Sequence, residues 1–240
     1  MRDAMEPLTL VIPTFNEADT IGGVIREIPP PYRRDIIVAD GGSTDGTQAE
    51  ARAAGARVID AGRGYGRACA LGAGAAHPSS VVIAFMDGDG ADRGDLIARI
   101  ARPVLYDTHD FVLASRTRGA REPGAMLWHQ VLAGRFAGFG MGALYGVRFS
   151  DMCAFRAIRR EALGSLDMRE MTYGWNIEMQ MKAARARLRI LEVPLPYRRR
   201  GGGRSKVAGS LRGTLNASTR IAATFCRVAT SGSGRGASGR

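Results

Sequence analysis

The sequence predicts an α/β protein built on a mostly parallel sheet flanked by helices, and three observations predict it. Short β-branched or apolar runs recur at residues 8–12, 35–39, 57–60 and 81–86. Stretches with helical spacing separate them, and each of the runs at 8–12, 35–39 and 81–86 stops at a loop rich in proline, glycine or acid. Strands that alternate with helices pair in parallel through right-handed crossovers. In such sheets ligands bind beyond the carboxyl ends of the strands.

Leu8-Thr9-Leu10-Val11-Ile12 reads as a buried strand ended by Pro13. Residues 17–28 put Ile21, Val24, Ile25 and Ile28 on one side of a helix that Pro29-Pro30-Pro31 terminates. Asp35 to Ala39 is the next strand and runs into DGGSTDGT. Thr47 to Ala54 follows as a helix capped near Asp45, then Arg57 to Asp60 as a third strand. GRGYGRACALGAGAA (62–76) is a glycine-rich turn leading into a small-residue helix, and 81–86 is the fourth strand. Pro13 to Glu17, Asp40 to Asp45 and Asp87 to Asp92 all follow strand ends, so they are expected on one rim.

Beyond residue 96 come a helix near 95–105, a strand at Phe111 to Ala114, and an arginine-rich loop from Arg116 to Arg121. Trp128, Leu132, Phe136, Phe139 and Ala143 recur at helical spacing across 126–145, and Glu178 lies in an otherwise apolar helix face near Trp175. A last strand, Leu188 to Val193, enters Pro194-Leu195-Pro196-Tyr197. The low-complexity end SGSGRGASGR is expected to be a disordered tail, 231–240, behind a single domain over 1–230.

The chain of 240 residues is 45% hydrophobic, which suits a globular protein with a sizeable core. Its three cysteines, Cys69, Cys153 and Cys226, fit neither a disulfide framework nor a C-x-x-C metal site, and are expected to be reduced, buried thiols. MRDAMEPLTLVIP lacks the pattern of a secretory signal. The apolar stretch 125–147 is broken by His129 and Arg135, whereas a membrane span needs about 20 predominantly apolar residues. A cytoplasmic protein is expected, one not integral to a membrane. Charge is split: residues 1–95 carry net −5 and residues 96–240 net +16. A basic half attracts nucleic acid, anionic lipid or a phosphorylated substrate. Without interleaved aromatics or a recognised motif, nucleic acid is not expected.

Asp87-Gly88-Asp89 ends the fourth strand, with Asp92 close behind. The pair reads either as two solvated turn aspartates or as oxygen ligands for Mg²⁺ or Mn²⁺, hard cations often shared between carboxylates and substrate phosphates. The glycine-rich turn is neither a GxGxxG nor a GxxxxGK[ST] element, so no NAD or ATP site is indicated.

In this order, VIPTFNE (11–17), DGGSTDGT (40–47), MDGDG (86–90), DMCAFRAIRR (151–160) and EVPLPYRRRGGGRSK (192–206) resemble family 2 glycosyltransferases. The resemblance is to the branch of dolichol-phosphate mannose synthase and polyprenyl-phosphate glucosyltransferases, and it covers roughly residues 8–210. It implies a GT-A fold with a nucleotide-sugar half (8–95) and a basic acceptor half (96–230). By resemblance, Pro13, Thr14 and Glu17 border the nucleoside, Asp40 contacts the base, and Asp87 and Asp89 form the DxD motif that binds diphosphate and metal. Gly41 departs from the pattern, which often has a second acid there. Gly64 either makes a tight turn or touches phosphate. Asp151 faces donor sugar and acceptor, or caps a helix; Glu178 is a candidate ligand to sugar or metal shell. Arg200, Ser205 and Lys206 match an R-x-x-G-x-S-K loop that binds phosphate, and Lys206 is one of only two lysines in the chain.

The reading is an inverting, metal-dependent transferase that moves a hexose from GDP-mannose or UDP-glucose to a polyprenyl phosphate. An acceptor hydroxyl would need Asp151 or Glu178 as base, whereas a lipid phosphate is already anionic. A hydroxyl acceptor, as in cell-surface polysaccharide synthesis, and a non-catalytic nucleotide-sugar-binding protein are the alternatives. A nucleotidyltransferase would want a glycine- and lysine/arginine-rich loop where PTFNE stands. The stripes at 126–145 and 207–228 are either core helices or amphipathic helices in peripheral contact with an anionic membrane at its cytoplasmic face.

Overall fold

The computed structural model of the chain describes residues 6–202 and 211–231. Strand β1 (Leu8–Thr14) is an inner strand of the sheet, and both of its faces are apolar. Leu8, Leu10 and Ile12 enter one core and Val11 the other, as the two-residue period of a strand requires. Each fully buried Leu or Ile contributes roughly 1.5–3 kcal/mol. Helix α1 (Ala18–Glu27) follows and buries Ile21, Val24 and Ile25. Then come β2 (Asp35–Asp40), α2 (Thr47–Ala53), β3 (Arg57–Asp60), α3 (Tyr65–Gly74) and β4 (Val82–Phe85). The second half supplies α4 (Ile97–Leu105), β5 (Phe111–Ser115), α5 (Trp128–Tyr145), β6 (Arg156–Arg159), α6 (Arg160–Ser165), α7 (Trp175–Arg185), β7 (Ile190–Pro194) and α8 (Leu211–Thr230).

The seven strands form one sheet in the order β3-β2-β1-β4-β6-β5-β7. The chain winds from β1 outward to β3, then returns to the other side of β1 for β4, so the topological switch lies between β1 and β4. β6 was not expected from the sequence: it pairs antiparallel with both β4 and β5. Its four residues, RAIR, carry no long apolar run, and Arg156 is fully buried all the same. Its guanidinium donates to the carbonyls of Asn176 and Cys153, which neutralises the cost of burying the donors. Two antiparallel steps restore direction, so β5 and β7 run the same way as β1. The loops after β1, β2, β4, β5 and β7 and the segment entering β6 therefore open on one rim.

On one face of the sheet Leu10, Ile12, Ala84 and Val112 pack under α1 and α4. On the other, Val11, Ile83, Phe85, Phe111 and Leu113 pack under α3 and α7, where Trp175 meets Phe85 edge-on at 6.2 Å. Helix α8 buries Ala217, Thr224 and Val228, so its described part is a core helix along one side. Helix α5 instead leaves Trp128, Leu132, Phe136 and Phe139 exposed. Cys69 and Cys153 are buried thiols as expected, but Cys226 is exposed on α8, because its position in that helix turns away from the stripe of Thr224 and Val228. No helix among the described residues is long and apolar enough to cross a membrane. Of the expected tail 231–240, residues 232–240 lie outside the described residues.

Candidate active site

The acid loop leaves β4 through Met86 and is held from below by α1, where the Thr20 hydroxyl donates to the Gly88 carbonyl at 2.7 Å. Asp87 is partly exposed, while Asp89 and Asp92 are buried. Asp89 Oδ1 accepts from the Ala91 amide at 2.9 Å, and its Oδ2 lies 2.5 Å from Nε of Arg200. Burial, and then repulsion from Asp89, push the Asp87 carboxyl up to about 6. Burial, with repulsion from Asp87 and Asp89, pushes Asp92 up to about 8.

The residues after β7 lie along this loop as a strap. The Arg198 amide donates to the Ala91 carbonyl at 3.0 Å and the Gly201 amide to the Asp89 carbonyl at 2.9 Å. The Arg198 side chain reaches both carboxylate oxygens of Glu27 at 2.7 Å and the Asp92 carbonyl at 3.2 Å. Arg200 is thus placed over the acids and faces Asp89, Asp87 and Glu17, which raise its affinity for its proton against the opposing effect of burial. Ser205 and Lys206, the rest of the expected phosphate loop, lie outside the described residues.

Asp151, in the segment before β6, is buried and is not a helix cap. Its carboxylate takes the Arg116 guanidinium through two bonds of 2.8 and 2.7 Å, the Arg116 amide at 2.9 Å and the Met152 amide at 2.7 Å. Burial would raise this carboxyl, but the Arg116 charge and hydrogen bonds outweigh it and hold Asp151 below the usual carboxylate range. Arg116, at the end of β5, in turn lies over the Tyr197 ring of the strap, 5.1 Å from its centroid.

On the nucleoside side, Thr14 closes on β2: its hydroxyl donates to Asp40 at 3.2 Å and its carbonyl accepts from the Gly41 amide at 2.8 Å. Asp40 also accepts from the amides of Gly42 and Ser43, the Ser43 hydroxyl and the Gln48 amide group. Burial pushes its carboxyl up, yet these donors together hold it below the usual range. With its oxygens so engaged, Asp40 shapes the 41–46 loop. Gly41 has a reason in the same contact, since a Cβ there would stand 3.2 Å from the Thr14 carbonyl oxygen. Pro13 sits in β1 just before Thr14, and the amide of Glu17 is bonded to the Thr47 hydroxyl at 2.8 Å. Gly64, at φ +127°, opens α3 where a Cβ would come within 2.6 Å of the Met171 carbonyl. The amides of Gly66 and Arg67 in that first turn are bonded to the carbonyls of Thr172 and Met171.

Glu178 is fully buried in α7, and its carboxylate binds the amides of Arg169 and Glu170, Lys182 at 3.1 Å and Arg227 at 3.2 Å. None of these partners belongs to the acid loop. Its place in an apolar helix face is explained by what it ties together: the 169–172 loop that covers the α3 N-terminus, and α8. The structure therefore groups Asp87, Asp89, Arg200 and Glu17, adjoins Asp151 to them through Arg116, and places Glu178 as an anchor. Sequence reasoning did not single out Arg116, Asp92, Tyr197 and Arg198 as site residues. Asp92 and the arginine runs were visible, but nothing local says which members of a run turn toward the rim.

A hard divalent cation fits the acid loop, because it takes oxygen ligands and relieves the repulsion that raises Asp87. Among the described residues no three His, Cys, Asp or Glu side chains converge as a complete metal cage. Mg²⁺ and similar ions commonly use one or two carboxylates and fill the remaining positions with phosphate and water. The rim therefore combines an acid pair suited to a phosphate-bridging cation with an arginine strap suited to phosphate itself.

The model of glycosyl transferase family 2 matches residues 9–166. An uncharacterized glycosyltransferase of Mycobacterium tuberculosis is 34% identical over 217 residues, covering 88% of this chain and 94% of that protein. The dolichyl-phosphate hexose transferase of Haloferax volcanii is 33% identical over 202 residues, covering 82% of this chain and 85% of that protein. Among solved structures, glucosyl-3-phosphoglycerate synthase from Mycobacterium tuberculosis, in complex with Mn²⁺, UDP-glucose and glycerol 3-phosphate, superposes with a TM-score of 0.73. It covers 93% of this chain and 80% of that chain at 24% identity, a likeness of fold. The α/β sheet described above is the GT-A fold.

Proposed function

Because the chain belongs to glycosyl transferase family 2, we propose that it moves a hexose, with inversion, from a nucleotide diphosphate sugar to a polyprenyl phosphate. The observation that carries this reading is the meeting of the acid loop and the arginine strap on one rim, with Arg200 against Asp89. Nucleotide sugar enters over the β1–β2 loops, its diphosphate toward Asp87, Asp89 and Arg200. Mg²⁺ or Mn²⁺ at Asp87 and Asp89 would neutralise charge on the diphosphate. Arg200, with Ser205 and Lys206, holds phosphate oxygens. In the transfer, an acceptor oxygen forms a bond to the anomeric carbon as the bond to the nucleoside diphosphate breaks, and the electron pair leaves on the diphosphate.

The state of Asp151 and Glu178, the two candidate bases, favours a lipid phosphate over a hydroxyl. A hydroxyl nucleophile needs a general base within hydrogen-bond reach of its proton. Asp151 is held ionised by Arg116 with its lone pairs engaged, and Glu178 is enclosed by four donors. A phosphate monoester is already anionic and needs neither. The dolichyl-phosphate hexose transferase named above is a relative of the same kind. Exposed apolar residues on α5, with Arg135 among them, would rest on an anionic membrane as a peripheral contact at its cytoplasmic face.

The test is transfer from GDP-mannose and UDP-glucose in parallel, each with and without polyprenyl phosphate, in Mn²⁺ and in EDTA. Product that needs both metal and lipid, and that Asp89→Ala abolishes, is expected with one of the donors. Transfer to a hydroxyl acceptor alone, or full activity in EDTA, overturns the reading.

A further inference from the structure

The acids of the rim are unequally provided with donors. Asp40 accepts from the Gly42 and Ser43 amides and three side chains, Asp151 from Arg116 and the Met152 amide, and Asp89 from the Ala91 amide and Arg200. Among the described residues no well-formed hydrogen bond ends on the carboxylate of Asp87. One hydroxyl stands beside it, that of Tyr65, the first residue of α3. The Tyr65 hydroxyl oxygen is buried and also lacks a hydrogen-bond partner, while the residue packs against the core under α3 and α7. Burying a hydroxyl without a partner is costly, so nearly all such groups find one. The other groups around it are weaker candidates. Arg156 has only donors to offer and directs them to the carbonyls of Cys153, Ala154 and Asn176. Cys69 is a thiol that burial, and then the Asp87 charge, keeps protonated, and its sulfur is a weak acceptor. The Asn176 side chain is neutral, whereas a bond to an ionised carboxylate is roughly twice as strong as a neutral one. Burial, and then the Asp87 charge, also raise the Tyr65 phenol, so it remains a donor.

We propose that Tyr65 is a positioning residue for the cation: its hydroxyl donates to the Asp87 carboxylate when that carboxylate takes Mg²⁺ or Mn²⁺ with a nucleotide diphosphate, and so fixes which oxygen faces the ion. The inference rests on the reading of Asp87 and Asp89 as cation ligands proposed above. Its place rests on two orphaned groups that complement each other, a donor without an acceptor and a carboxylate without a donor. The position of Tyr65 is enforced from outside. The amides that follow it, of Gly66 and Arg67, donate to the carbonyls of Thr172 and Met171 at 3.2 and 2.9 Å. A Cβ at Gly66 would collide with the Glu170 carbonyl, so α3 begins tight against this loop. Glu178 fastens the loop in turn through the amides of Arg169 and Glu170. A chain of contacts therefore runs from the buried Glu178, through the loop and the first turn of α3, to Asp87. Loss of such a donor behind a metal ligand typically costs roughly 10–100-fold in metal affinity.

Mn²⁺ would be titrated by electron paramagnetic resonance, with UDP or GDP present, into the parent, Tyr65→Phe, Cys69→Ala and Asp89→Ala. Tyr65→Phe removes one oxygen that makes no bond in the structure. It should therefore fold, with an unfolding midpoint no lower than the parent's, and bind nucleotide in EDTA with unchanged affinity. Its Mn²⁺ affinity should fall at least tenfold. Cys69→Ala alters the same pocket without removing a donor to Asp87 and should keep the parent affinity. In transfer assays Tyr65→Phe should need at least tenfold more Mn²⁺ for half-maximal rate and regain the parent kcat at saturating Mn²⁺. Unchanged Mn²⁺ affinity in Tyr65→Phe overturns the proposal, and so does an equal loss in Cys69→Ala, which would make packing the cause. If Asp89→Ala loses Mn²⁺ while Tyr65→Phe does not, the metal reading stands and this inference alone fails. A parent that binds no Mn²⁺ with either nucleotide overturns both. Tyr65-dependent Mn²⁺ binding without transfer to polyprenyl phosphate overturns the acceptor reading and leaves the role of Tyr65 in place.

Discussion

Asp92 and Asp151 are both buried near the rim, yet their surroundings drive them in opposite directions. Asp151 is depressed by Arg116, so its contribution to stability is present above the ordinary carboxylate range and is lost as pH falls through its folded value. Asp92 is pushed up to about 8 by burial and by Asp87 and Asp89. In the unfolded chain it ionises near about 3.9. Between those two values the unfolded chain has released a proton that the folded chain keeps, so stability falls as pH rises across that window. Asp92→Asn removes the part of this dependence that belongs to Asp92. We expect it to exceed the parent in stability at pH 8 by at least about 1 kcal/mol, and by much less at pH 4.5, in urea unfolding. A difference independent of pH would mean that Asp92 acts through shape and not charge.

Helix α5 differs from its neighbours in what its pattern is for. The stripe of Trp128, Leu132, Phe136 and Phe139 has the spacing of a core helix, and the sequence left core and membrane contact both open. In the fold these side chains face outward beside Arg135, so the stripe is surface and not core, and it is where the membrane contact proposed above would form. Removing apolar surface that is already exposed costs little: Phe136→Ser with Phe139→Ser should change stability by no more than about 0.5 kcal/mol. Binding to anionic vesicles, measured by flotation, should fall at least fivefold. Undiminished flotation would move the contact to another surface. α8, of similar length, buries Ala217, Thr224 and Val228, whereas α5, which packs on α7 as well, turns its aromatic stripe away from the core.

At the scale of the whole molecule, an acidic first half and a basic second half meet where the strap crosses the acid loop. Arg198 binds Glu27 on α1 across 171 residues of sequence, with both carboxylate oxygens at 2.7 Å. Because both groups are partly exposed, the pair contributes little to global stability, about 0–1 kcal/mol. Its effect is local: it presses the strap onto the loop and so places Arg200. Glu27→Ala should leave the unfolding midpoint nearly unchanged, yet accelerate hydrogen exchange of the Arg198 and Gly201 amides at least tenfold. Unchanged exchange would mean that the backbone bonds to Ala91 and Asp89 hold the strap alone.

The α/β class, the order of the first four strands and the acid pair at the end of β4 were legible in the sequence. Each depends on residues adjacent in the chain: a strand's alternation, a proline or glycine that ends it, and the loop that follows. The opposed charges of the two halves were legible for the same reason. Tertiary structure decided the rest. The buried Arg156 hid β6, because its partners are carbonyls that the fold brings to it. Asp151 gains its role from Arg116, 35 residues away, and Glu178 from Arg227, 49 residues away. Which charges in a run turn toward the rim is set by sheet order, since Arg116 and Arg200 meet Asp151 and Asp89, carboxylates that packing delivers from distant parts of the chain.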